Sequence, residues 1–115
     1  MENNVLFWDY LEKLVFENEV IIDRPKGTRH PKYNDMIYIV DYGYIKNTKS
    51  MDNNGIDIFV GSNENKKIDS ILCVIDLVKK DSEIKVLMGC TEKEKNEIYE
   101  FMNNTEYMKA IIINR

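Results

Sequence analysis

Apolar residues near the N-terminus recur with helical spacing. Val5, Trp8, Leu11 and Val15 fall on one stripe with Phe7 and Leu14 beside it, so residues 4–17 read as an amphipathic helix that Asn3 or Asn4 can cap. Residues 20–22 form a short extended piece. Two prolines and a glycine punctuate residues 24–31, which therefore read as loop. Residues 36–45 alternate as a strand does, with Tyr38, Val40, Tyr42 and Tyr44 on one face. A polar loop at 47–55 precedes a short strand at 56–60. A longer strand at 68–78, a polar tip at 79–82 and a returning run at 83–88 make a hairpin. Thr91-Glu92-Lys93-Glu94 is a capping box, in which hydroxyl and carboxylate satisfy orphan amides at a helix start, and the helix it opens covers 92–103. Residues 111–113 close the chain as a strand. These elements predict an α+β fold: a small, mainly antiparallel sheet curled into a barrel, with helices at the two ends of the sequence.

Composition narrows the function classes. A chain of 115 residues has room for one domain, 1–115, with a modest core. Its 43% apolar and 31% charged residues are those of a soluble globular protein. Net charge is -4 and only residues 24–32 are locally basic, which argues against a nucleic-acid partner, since that needs a broad cationic surface. No apolar run approaches the roughly 20 residues of a membrane helix, and the acidic, Asn-rich start lacks the order of a signal peptide. A cytoplasmic location without membrane contact is expected. Cys73 and Cys90 lie in apolar, strand-like runs and read as buried reduced thiols. With His30 the sole histidine, a zinc site is not expected.

The chemically informative stretch is Tyr38-Ile39-Val40-Asp41-Tyr42-Gly43-Tyr44-Ile45-Lys46-Asn47-Thr48, followed by Asp52-Asn53-Asn54-Gly55-Ile56-Asp57. Asp52 sits in a Gly/Asn loop and Asp57 in the next strand, so the loop can fold back and bring both carboxylates to one hard cation. The alternative reading makes Asp52 and Asn54 ordinary turn residues. The stretch resembles the signature of the family I soluble inorganic pyrophosphatases. There a Tyr-Pro-x-Asn-Tyr-Gly-Tyr/Phe-Ile-Pro-x-Thr strand precedes an Asp-x-Asp-Pro-x-Asp loop. Tyr38, Tyr42, Gly43, Tyr44, Ile45, Thr48, Asp52 and Asp57 match in type and spacing. The family continues with an aspartate at a strand end and an acid-x-Lys pair after a short turn; Asp81 and Glu83-Ile84-Lys85 follow in that order.

This resemblance, to a shortened and divergent relative, implies a small five-stranded barrel with helices outside it. It implies Mg2+ held by Asp52, Asp57 and Asp81 with Glu83 completing the cluster. Lys85 is then a phosphate ligand, while Tyr38 and Tyr42 line the pocket, the latter near the nucleophile. Such a site suits a highly charged anhydride, because cations neutralise the charge that develops in attack and metals activate water near neutral pH.

The departures from the family are as specific. The family's water-activating aspartate is Asn54, whose amide takes no proton at neutral pH. Its loop proline is Gly55, and the late Tyr-Lys pair of its C-terminal helix has only Met102 and Asn103 as positional counterparts. Arg24, Lys26 and Arg29 lie where the family uses a basic residue and are candidate phosphate ligands, arginine being suited to bidentate contact; a solvated loop is the alternative. His30 reads as a surface or packing residue and Lys79-Lys80 as a solvated hairpin tip.

Three functions fit. The first is Mg2+-dependent hydrolysis of a phosphoric anhydride, pyrophosphate by default, with Asn54 and Tyr42 at the catalytic positions. The second is a weakened module that binds phosphate, nucleotide or metal. The third is a structural barrel. The first two imply a small phosphate-containing ligand as partner and leave a homo-oligomer open.

Overall fold

The computed structural model describes residues 2–33 and 35–115. Helix α1 (Glu2–Phe16) leads to strands β1 (Val20–Arg24), β2 (Asp41–Ile45), β3 (Ile56–Val60), β4 (Ile68–Asp76) and β5 (Asp81–Met88); helix α2 (Glu92–Asn103) and strand β6 (Met108–Asn114) follow. The strands form one sheet in the order β1-β2-β3-β5-β4-β6. Every neighbouring pair is antiparallel except β3 and β5, which run parallel. The chain leaves β3, skips one place to lay down β4, and fills the gap with β5 by a hairpin.

The α+β class and the mainly antiparallel sheet are as the sequence predicts; the barrel is not. The sheet is open, with β1 and β6 at its edges. Closure is unnecessary because each face is covered by a helix. On one face Trp8, Leu11 and Val15 of α1 pack with Ile45, Ile58, Ile71 and Val86. On the other, Ile98 and Met102 of α2 pack with Tyr42, Phe59, Leu72 and Leu87. Consecutive residues such as Ile58 and Phe59 thus serve opposite cores, as the two-residue strand period requires.

Other differences concern boundaries. Helix α1 begins at Glu2, so Asn3 and Asn4 lie in its first turn instead of before it. Only 41–45 of the expected strand 36–45 is ladder. Tyr38 and Val40 keep the alternation and are buried with Tyr42, but the backbone of 36–38 pairs elsewhere. Gly27 and His30 donate to Tyr38 and Met36, and Tyr38 donates back to Thr28. The loop at 24–31 is thereby folded against the tyrosine segment. Strand β4 stops at Asp76, whose Oδ1 accepts the amides of Val78 and Lys79 and turns the chain early. The capping box of α2 is formed as predicted: Glu94 N donates to the Thr91 hydroxyl and Thr91 N to the Glu94 carboxylate. Cys90 is buried and Cys73 half-buried, both as free thiols. No helix among the described residues is long and apolar enough to cross a membrane.

Candidate active site

Four neighbouring strands, β1, β2, β3 and β5, bring the chemistry together. Register sets Arg24 opposite Tyr42 and Tyr42 opposite Phe59, and two residues along places Tyr44 opposite Asp57. The parallel pairing of Ile58 with Val86 then sets Lys85 beside Asp57. Gly43 makes the β1–β2 approach possible: a Cβ there would lie 1.8 Å from the Ile21 carbonyl oxygen.

Lys85 is the hub. Its Nζ donates to Asp57 Oδ2 at 2.6 Å and to the Tyr42 hydroxyl at 2.8 Å, and lies 3.4 Å from Glu83 Oε2. Burial works against its charge, yet the charges and hydrogen bonds of Tyr42 and Asp57 hold its pKa well above the ordinary lysine value. Burial pushes the Tyr42 phenol strongly upward and Asp57 adds to this, while Lys85 opposes it, so the hydroxyl keeps its proton. On the far side the Arg24 guanidinium donates to the Tyr38 hydroxyl and lies 5.6 Å from the centroids of the Tyr38 and Tyr42 rings. Burial disfavours the Arg24 charge, but the Tyr38 contact outweighs it and raises the pKa.

The acidic half is built from the β2–β3 loop and β5. Asp52 Oδ1 accepts from the Ser50 hydroxyl at 2.6 Å and from Asn54 N at 3.0 Å. Partial burial opposes ionisation of Asp52, but these hydrogen bonds hold it well below the usual carboxylate range. Glu83 is shifted the other way, first by burial and then, against the attraction of Lys85, by Asp52 and Asp57. Glu83 Oε1 is buried without a hydrogen-bond partner. A half-buried acid pair with one oxygen unsatisfied is a place where a cation relieves repulsion.

One cavity of about 670 Å³ collects these groups. Asp52, Asn54, Asp57, Lys85, Arg24, Tyr38 and Tyr42 all line it. Glu83 stands behind Lys85 and borders a second, apolar groove. Besides Glu83, three predicted residues are not among the lining groups. Lys26 offers its backbone amide to Asp41 and is exposed, as is Arg29, which bridges Ile37. Asp81 opens β5 and pairs across the hairpin with Asp76. It is Asp76, buried at the end of β4, that reaches the cavity. The strand-end position was the available signal, and it belongs to Asp76. Two residues read as bland also line the cavity: His30 and Lys79. Met102 does too, giving an apolar wall.

A model of the inorganic pyrophosphatase family matches residues 18–112. The chain belongs to that family. Two solved structures share its fold. An inorganic pyrophosphatase from Helicobacter pylori is 15% identical with a TM-score of 0.61, over 84% of this chain and 83% of that one. An inorganic phosphatase from Anaplasma phagocytophilum is 16% identical with a TM-score of 0.57, over 83% of this chain and 81% of that one. Comparison with curated proteins by sequence returned no match.

The family implies a divalent metal. Among the described residues no three His, Cys, Asp or Glu side chains are gathered around one point. The Asp52–Glu83 pair, with its unsatisfied oxygen, fits an ion that takes few carboxylates and completes its sphere with water and phosphate oxygens, which is the habit of magnesium. Asp57 is engaged by Lys85.

Proposed function

We propose that the chain hydrolyses a phosphoric anhydride, with inorganic pyrophosphate as the default substrate and Mg2+ as cofactor. The observation that carries this is the buried Lys85–Tyr42–Asp57 cluster, facing Arg24 within one cavity, in a chain of this family. Arg24 and Lys85 are permanent cations on either side of Tyr42, suited to neutralise phosphate oxygens in the ground state and the charge that moves to the leaving phosphate. Tyr42, held protonated, can donate its hydrogen bond to a phosphate oxygen or to the attacking water. Asp52 and Glu83 would hold the metal, and the chemistry a bound magnesium supplies is positive charge on phosphate oxygens and activation of water. Tyr38 orients Arg24 through its hydroxyl.

A second reading, a weakened module that binds without efficient turnover, is favoured by one residue. Asn54 lines the cavity beside Asp52 and cannot accept a proton. Phosphate release from pyrophosphate, with and without Mg2+, tests both readings. Slow, Mg2+-dependent release that Lys85→Met abolishes is expected. Asn54→Asp raises it by about 10²-fold or more if a general base is the missing part. Mg2+-dependent binding with no release from either the parent or the Asn54→Asp protein would leave only the binding module.

A further inference from the structure

The cavity offers more than an inorganic anion can use. Its volume of about 670 Å³ falls within the roughly 300–1,000 Å³ typical of pockets that enclose a drug-sized organic molecule. The groups suited to phosphate, Arg24 and Lys85, occupy one end of it. From there a row of rings leads outward. Tyr42 stacks on Tyr38 with centroids 5.0 Å apart, and Tyr38 lies parallel to His30 at 6.2 Å. His30 meets Tyr33 at 4.9 Å, and Tyr33 meets Tyr107 at 6.1 Å. All five rings line the same cavity.

Phosphate oxygens bind by charge and hydrogen bonding and gain nothing from a ring face. Flat heteroaromatic groups gain from stacking on such faces, largely without regard to sequence or substituent. Core packing accounts for Tyr38 and Tyr42, which are buried. It does not account for Tyr33, which is 44% exposed at the outer end. The row therefore continues past the hydrophobic core to an exposed ring, and Lys32 and Lys79 add positive charge to the same lining.

We propose that the cavity takes a nucleoside diphosphate in preference to inorganic pyrophosphate, with the anhydride at the Arg24–Lys85 end and the base against the Tyr33 and Tyr107 rings. This rests on the reading of the cavity as an anhydride site. Two non-hydrolysable probes separate the ideas, with affinities measured by calorimetry in magnesium buffer: methylenediphosphonate, which lacks a base, and α,β-methylene-ADP, which carries one. The nucleotide probe is expected to bind about tenfold tighter or more, the margin that stacking of one base confers. In the Tyr33→Ala/Tyr107→Ala protein that margin disappears while methylenediphosphonate binds as before, and Tyr33→Phe/Tyr107→Phe keeps it. Equal affinity of both probes for the parent protein overturns the proposal and leaves the anhydride site standing. Equal loss of both probes in the alanine protein also overturns it. If neither probe binds the parent, the anhydride site and the proposal fall together.

Discussion

At the scale of single residues, Lys85 decides whether the site exists. Its side chain is almost fully enclosed, with Asp57 and Glu83 both within ion-pair distance. Removing it leaves two partly or wholly buried carboxylates without a counter-charge, a change that typically costs about 3–5 kcal/mol. Lys85→Met should lower the urea-unfolding free energy by that order. The penalty should be the same across neutral pH. A lysine whose folded pKa is raised keeps its full contribution below the unfolded value of about 10.4 and loses it only as pH climbs through the folded one. A penalty that shrinks between mildly acid and neutral pH would show another group to be the partner. His30 reports on the same cavity from its outer part. Its pKa is lowered, first by burial and then by Arg24, Lys32 and Lys79. The folded state thus binds fewer protons than the unfolded one just below pH 6.5, and stability contributed by neutral His30 is lost as pH falls there. A bound polyphosphate adds negative charge nearby and should move the pKa upward. The single histidine gives one imidazole signal in an NMR titration; a value at or above 6.5, or no movement with pyrophosphate and Mg2+, contradicts this placement.

At the scale of elements, α2 shows how local sequence can settle local structure. The Glu94 carboxylate accepts from Thr91 N and also from Ser62 N, so the capping box ties the helix to the loop after β3. Thr91→Ala should cost about 1 kcal/mol, lowering the melting temperature by about 4 °C in a domain of this size. Partial burial opposes ionisation of Glu94, but these amides hold its pKa down. Its contribution is therefore present above its unfolded value and lost as pH falls through the folded one, so Glu94→Gln should flatten part of the acid limb of the stability curve. This helix was legible because all its signals are local: cap, box and period agree over 92–103. Strand 56–60 was legible for the same reason. The tyrosine segment was half legible. Alternation correctly put Tyr38, Val40 and Tyr42 on one buried face, but it cannot say which backbone a segment pairs with, and 36–38 pairs with the loop at 27–30. The same blindness hid the setting of Lys26 and Arg29: their basic character was visible, but not that the loop carrying them is folded by its backbone against 36–38. Asp76 was overlooked because the strand was read through to 78; the aspartate instead ends it and turns the chain, and that turn delivers it to the cavity.

At the scale of the whole molecule, the site is assembled from segments distant in sequence. Arg24 comes from β1, Tyr42 from β2, Asp52 from the following loop, Asp57 from β3 and Glu83 with Lys85 from β5. Motif spacing could place Asp52 and Asp57 near one another, but only the skipped strand position, which slots β5 beside β3, brings Lys85 to Asp57. No local pattern encodes that choice, which is also why the open sheet was not foreseen. A ligand that bridges these segments couples to global unfolding, since all of them separate when the chain opens. Binding to the folded state alone at a hundredfold excess over Kd adds about 2.7 kcal/mol, on the order of 10 °C for a domain near this size. Mg2+ with pyrophosphate should therefore raise the melting temperature by several degrees or more, and Mg2+ alone by less. The acid pair sets the sign of a further test. Glu83 is disfavoured as a carboxylate first by burial and then by Asp52 and Asp57, so Glu83→Gln should leave the metal-free protein no less stable at neutral pH while removing the Mg2+ response. Asp52→Ala should remove that response as well, but at a cost to the metal-free protein, because it strips the loop of the bonds from Ser50 and Asn54. A full Mg2+ shift surviving in both variants would place the metal away from this pair. A shift lost in both, with opposite effects on the metal-free protein, would fix the ion between the loop and β5.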